Sequence, residues 1–315
     1  MPGKSTRMRA RRSLFLVLLL AACGSRTGLL TEEGTFTPLL DASTLDVRTD
    51  ARRDSGTDAD LPPIDARPRE DVDQSDCPDA STTFIYTVTT QNELLAFNPP
   101  AGSFKSIGTL VCPAGGATPF SMAVDRRGVA YVLYNDGNLF KVSTLTGACI
   151  PTGFRPLQQN YQLFGMGFAS NSGGAAETLF VMGDEQGGAR RGLARIDTSS
   201  FLLTHIGDNT PERAELTGTG DGRLFAFYSK NGGNSTWIGE VNKTTGSIAA
   251  ENSLTTDQGS GWAFGFWGGD FYLFTGPGGS SVVTRYRPSD GSEVQVATYP
   301  SLIVGAGVST CAPSE

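Results

Sequence analysis

One histidine, five cysteines and one glutamate out of its pattern are the residues of this 315-residue chain that could carry chemistry. His205 stands in the alternating run Phe201-Leu202-Leu203-Thr204-His205, which reads as an outer strand. A Ser–His–Asp or Cys–His device needs a histidine next to a nucleophile, not on a sheet surface. No HExxH, P-loop or GxSxG spacing is present. No catalytic residue is therefore assigned.

The glutamate is Glu215. Five inner-strand segments align, and their second position reads Ser121, Gly165, Glu215, Gly265 and Gly305. Their fourth reads Ala123, Gly167, Thr217, Trp267 and Gly307. Glu215 and Trp267 break a rule of small residues. A carboxylate in such a place is costly unless it meets water or a partner. The expectation is a solvated carboxylate at a channel mouth. Glu215, Trp262 and Trp267 are the candidate ligand-binding residues, the tryptophans as a stacking platform. Asp125 in AVDRRG and Asp221 in GTGDG read as turn formers.

Cys77, Cys112, Cys149 and Cys311 are an even set after Cys23. In an exported chain an even set suggests disulfides. Cys77 precedes the first strand and Cys311 follows the last, so Cys77–Cys311 is the first choice. Cys112 and Cys149 remain as a pair, although strand register puts them near opposite ends of their strands. Zinc is not expected, because the paired short Cys spacings are missing. DSGTDAD, residues 54–60, lacks a full set of calcium ligands. No metal and no cofactor are expected.

The elements that position these residues repeat. Five segments have one layout of strand, polar turn and strand, such as NELLAFNPPAGSFKSIGTL and SVVTRYRPSDGSEVQVATY. Their turns end in Gly102, Gly147, Phe201, Gly246 and Gly291. Glycine at four of the five suits a backbone position with φ > 0. Two further strands precede four of the hairpins. The outer one is apolar, as in GVAYVLYN, and the inner one is small, as in FGMGF. Four strands in each repeat is the mark of a β-propeller.

The first hairpin lacks its inner strand. Ile303-Val304-Gly305-Ala306-Gly307-Val308 matches the missing pattern. An all-β propeller of five four-stranded blades is thus expected, closed in the first blade by the C-terminal strand. Closure removes sticky edges, and the ring is expected to be a monomer. The repeats resemble the broad YVTN, NHL and WD40-like propeller superfamily, whose generic motifs imply no particular activity.

The chain opens with Lys4, Arg7, Arg9, Arg11 and Arg12, then an apolar run from Ser13 to Ala22. That run spans roughly 15 Å, half a bilayer core, so it fits a signal peptide and not a membrane span. Leu20-Ala21-Ala22-Cys23 resembles the bacterial lipobox. The resemblance implies a signal at residues 1–22 and a mature chain starting at lipidated Cys23. Gly24 in place of an Asp points to the outer membrane over the inner. Arg11-Arg12-Ser13-Leu14-Phe15 resembles a twin-arginine signal, but the strong apolar run favours the general secretory route.

Residues 23–80 read as the lipidated cysteine and a disordered Asp-rich tether, and residues 81–315 as the propeller. From 24 to 80 there are 14 acids against 6 bases and hardly an aromatic. The net charge of −7 sits mostly on that tether, and no basic stripe suggests nucleic acid. Anchor, acidic tether and propeller together resemble secreted lipoproteins common in myxobacteria. The expected role is a non-enzymatic binding or scaffold module of the cell envelope, with an envelope protein or glycan as partner. The alternative is a hydrolase or lyase with carboxylates at the mouth, which needs two or three of them.

Overall fold

A computed structural model describes residues 61–65, 67–68, 77, 83–172, 174–184, 192–208, 210–230 and 235–315. The signal, Cys23 and the DSGTDAD segment lie outside them.

Blade 1 begins with β1 (Ile85–Thr89), β2 (Glu93–Asn98) and β3 (Ser103–Thr109). Blade 2 holds β4 (Pro119–Val124), β5 (Val129–Tyr134), β6 (Leu139–Ser143) and β7 (Cys149–Pro151). Blade 3 holds β8 (Leu163–Ser170), β9 (Glu177–Asp184), β10 (Gly192–Ile196) and β11 (Leu203–Gly207). Blade 4 holds β12 (Glu212–Gly218), β13 (Leu224–Lys230), β14 (Ser235–Val241) and β15 (Ile248–Leu254). Blade 5 holds β16 (Trp262–Trp267), β17 (Asp270–Thr275), β18 (Ser281–Arg287) and β19 (Ser292–Tyr299). The last strand, β20 (Ile303–Val308), returns to blade 1 and pairs antiparallel with β1, Val88 facing Gly305 and Tyr86 facing Gly307. The ring of five four-stranded blades therefore closes as the sequence implies.

Alternation along each strand divides the core into sectors between blades. On β13, Phe225 and Phe227 face blade 5, while Leu224, Ala226 and Tyr228 face blade 3. The turn position that reads Gly, Gly, Phe, Gly, Gly has one conformation throughout. Gly102, Gly147, Gly246 and Gly291 take φ of 58°, 71°, 79° and 71°, and Phe201 takes 58°. Phe201 accepts this left-handed backbone because its ring is buried in the core between blades 2 and 3.

Inner strands are small because they touch. A Cβ on Gly165 would stand 2.1 Å from the Ala214 carbonyl oxygen of the next blade, and one on Gly305 2.7 Å from the Met122 nitrogen. Both disulfides are formed, Cys77–Cys311 with Cα atoms 5.8 Å apart and Cys112–Cys149 with 5.1 Å. Strand register alone separated the second pair. It closes because the chain beyond β3 lies against the β6–β7 turn, where Leu110 reaches the Gly147 backbone.

The described residues of the expected tether are not a solvated spacer. Ile64 is 5% exposed and belongs to the core sector between blades 4 and 5. An aliphatic residue after two prolines is already extended, so little further order is lost when it docks.

Candidate functional site

The inner strands all run the same way, with Pro119, Trp262 and Val304 at one end of the axis. These residues, with Thr118, Phe120 and Glu215, wall a cup of about 210 Å³. Below it, between Met166, Leu216 and Ala306, the axis has no room for a water molecule. The site is a recess with a floor, not a channel.

Glu215 belongs to this cup but is not solvated, as the sequence suggested it would be. It is 5% exposed. Its neighbour on blade 3 is Gly165, whose missing side chain leaves room beside the Glu215 backbone. The carboxyl reaches over blade 3 to blade 2, where the Ser121 hydroxyl donates to Oε2 at 2.8 Å. Burial pushes the Glu215 pKa well above the carboxylate range. The Ser121 hydroxyl and the Met166 N–H oppose this, and the negative Asp184 adds to it. The group is thus biased to the neutral acid, a donor as well as an acceptor.

Trp262 and Phe120 are half-buried walls of the cup, so the structure brings Glu215 and Trp262 together. Trp267 is not with them. It ends β16 at the far end of the axis, donates from Nε1 to the Thr83 carbonyl at 2.9 Å and packs in the blade 5–blade 1 core. A six-residue strand separates its ends by about 17 Å, which alignment of small positions did not take into account.

Sequence reasoning missed the polar rim. Thr118 and Asn135 brace each other through N–H to Oδ1 at 3.2 Å and Nδ2 to Oγ1 at 3.1 Å. Both come from the joins between strands, where a repeat carries no distinguishing signal. Sequence reasoning also missed Glu177, at the start of β9 beyond the floor. It accepts from the Arg126 N–H at 2.8 Å and from the Thr310 hydroxyl at 2.9 Å. Burial pushes its pKa up to about 7.

His205 lies on the outermost strand of blade 3, as expected, with Nδ1 at 2.9 Å from the Tyr161 hydroxyl and Nε2 at 3.4 Å from Asp208. Asp125 forms its turn, accepting from Arg127 N at 3.0 Å and Val129 N at 2.8 Å. The Thr219 hydroxyl donates to Asp221 in the equivalent turn of blade 4.

Fold and cup define the class: a five-bladed propeller with one floored recess on its axis. No family model matches the chain, and no curated protein does. Solved structures resemble it distantly. A chain of a nidogen/laminin complex is 11% identical with a TM-score of 0.49, covering 72% of this chain and 98% of that one. TolB from Acinetobacter baumannii is 14% identical with a TM-score of 0.40, covering 69% of this chain, which spans 53% of TolB. Hydrazine synthase from Kuenenia stuttgartiensis is 15% identical with a TM-score of 0.38, covering 70% and 67%. The strand order carries the fold assignment by itself.

Proposed function

We propose that this is a lipid-anchored propeller of the cell envelope that binds the neutral end of a glycan in its axial cup, without catalysis. The observation that carries the reading is Glu215, buried and biased to its neutral form beside Trp262 and Phe120. A neutral carboxyl exchanges hydrogen bonds with a sugar hydroxyl, and the two aromatic walls suit the apolar face of a sugar ring. At about 210 Å³ the cup is smaller than a drug-sized pocket, so it takes a terminal residue and not a chain.

Glycoside hydrolysis is the competing use of a raised carboxyl, and it needs a second carboxylate across the bond. Among the described residues that line the cup, Glu215 is the one carboxylate, and Asp184, whose charge raises the Glu215 pKa, is not part of that lining. The anchor reading rests on Leu20-Ala21-Ala22-Cys23, and Gly24 after the cysteine supports the outer membrane over the inner.

Two measurements test the proposal. Soluble glycans titrated against the full chain should bind, and Trp262→Ala should weaken binding about 10-fold or more, the loss expected of a stacking residue. Binding unchanged in Trp262→Ala overturns the cup as the site, while capture of an envelope protein and no glycan overturns the ligand class. Cys23→Ser should abolish incorporation of a fatty-acid analogue, and equal labelling overturns the anchor.

A further inference from the structure

The segment around Ile64 has the features of a bound peptide. Pro62 accepts from the Glu251 N–H of the outer strand β15 at 2.9 Å. Two residues on, the Ile64 N–H donates to Asn252 Oδ1 at 2.8 Å. Asn252 in turn donates from Nδ2 to the Tyr286 hydroxyl of blade 5 at 2.5 Å, so one amide reads the segment and spans the groove. Ile64 fills the groove, while Leu61, Pro62, Pro63 and Asp65 stay exposed. Farther along, Arg223 Nη1 donates to the Arg67 carbonyl at 3.3 Å. Arg223 is a buried cation that also donates to Glu240 at 2.9 Å, and a buried guanidinium needs every acceptor it can reach.

This is a form of strand-edge recognition: one backbone bond to the exposed strand and one from the Asn252 side chain set register, and one side-chain pocket sets identity. Asp65 satisfies itself by accepting from Arg67 N at 3.1 Å and Nη2 at 2.9 Å, which shapes the exit from the groove without a contact to the blade.

We propose that the groove between blades 4 and 5 is a peptide-recognition site for an extended segment with an aliphatic side chain after two prolines, filled in cis by residues 61–65 and 67. The chain is thereby fastened to blade 4 before it reaches its first strand. Arg67 docks beside Arg223, which precedes β13 opposite Gly218 at the far end of β12 from the cup. Cys77 is bonded to Cys311 beyond the end of β20, at the same end. Both fastenings leave the cup uncovered. The inference is independent of what the cup binds.

Hydrogen exchange on the full chain tests it. The Glu251 amide should exchange at least about 10-fold faster in Ile64→Asp than in the parent, because only the segment protects it, while Ala226 in β13 stays protected as a control for folding. An intramolecular ligand acts at an effective concentration of order mM. A synthetic peptide of residues 58–68 at that level should restore protection to Ile64→Asp, and the same peptide carrying Asp for Ile64 should not. If Ile64→Asp fails to fold, Asn252→Ala makes the same test through loss of Ile64 amide protection. Equal exchange of Glu251 in parent and variant overturns the docking, and no rescue by the peptide overturns the recognition site.

Discussion

The Ser121 hydroxyl of blade 2 and the Glu215 carboxyl of blade 4 meet 2.8 Å apart across the axis, over the glycines of blade 3. Two blades that are not neighbours in the ring are thus joined by one hydrogen bond to a buried acid. The acid is tolerated because two groups oppose its isolation, the Ser121 hydroxyl and the Met166 backbone N–H.

Glu215→Gln should preserve the fold, since the amide keeps an oxygen acceptor for the Ser121 hydroxyl and the Met166 N–H at similar volume. Glu215→Ala should cost about 1–3 kcal/mol by leaving the Ser121 hydroxyl and the Met166 N–H without their acceptor. Thermal melts of the two variants in parallel check this. A Gln variant as damaged as the Ala variant would mean that the charge itself is required.

Stability should fall as pH rises from the ordinary carboxylate range. Glu177 has its pKa raised from 4.5 to about 7. Between those values the folded state holds a proton that the unfolded state has released, so the slope is negative across pH 4.5–7 and ends near 7. The side chain is partly exposed, so its share is about 1–2 kcal/mol and not the full shift. Denaturant melts at a series of pH values should show the decline, and Glu177→Gln should flatten it in that window. Glu215 adds a decline of the same sign, removed separately by Glu215→Gln.

Two glycines separate backbone strain from crowding. Gly291 sits at φ 71° with open space around its Cα, so Gly291→Ala should cost about 1 kcal/mol through the left-handed backbone alone. Gly165 has no unusual φ, yet an added Cβ would stand 2.1 Å from Ala214 O. Gly165→Ala should push inner strands apart and lower the melting temperature far more. Equal effects would mean that the blades do not touch on the axis as described.

Deleting residues 302–315 removes β20 and Cys311 together, and the truncated chain should aggregate. Reducing both disulfides tests the covalent part separately. The Cys77–Cys311 bond joins residues 234 positions apart in sequence, and its loss should destabilise the chain by about 2–4 kcal/mol. A truncated chain that melts like the parent would show that β1 does not need β20.

The ring was legible because its information is periodic. The left-handed turn recurs at Gly102, Gly147, Gly246 and Gly291, and the missing inner strand of blade 1 left a gap that only Ile303–Val308 could fill. Cys77–Cys311 followed from that gap. The cup was half legible. Glu215 is visible as a violation of a rule, but its burial is not, because depth depends on how a side chain crosses the axis. Trp267 violated the same rule at the wrong end of the strand. Thr118, Asn135 and Glu177 come from strand ends and joins, where the repeat has no rule to violate. Ile64 was hidden by composition: a single aliphatic residue in an acidic segment gives no periodic signal.

The closing strand also sets a timetable. β1 emerges early in synthesis and its partner β20 is the last strand of the ring to appear, more than 200 residues later. Blades 2 to 5 draw all four strands from one contiguous stretch, so each has its partners as soon as it is complete. Blade 1 must wait with an open edge, the state in which a β-protein is most exposed to wrong pairing. Cys77 waits with it, and its correct partner is also the last cysteine to appear. An oxidant that acts before the chain is finished finds Cys112 and Cys149 as the only pair that belongs together, and an early bond from Cys77 to either of them would have to be undone before the molecule could be completed.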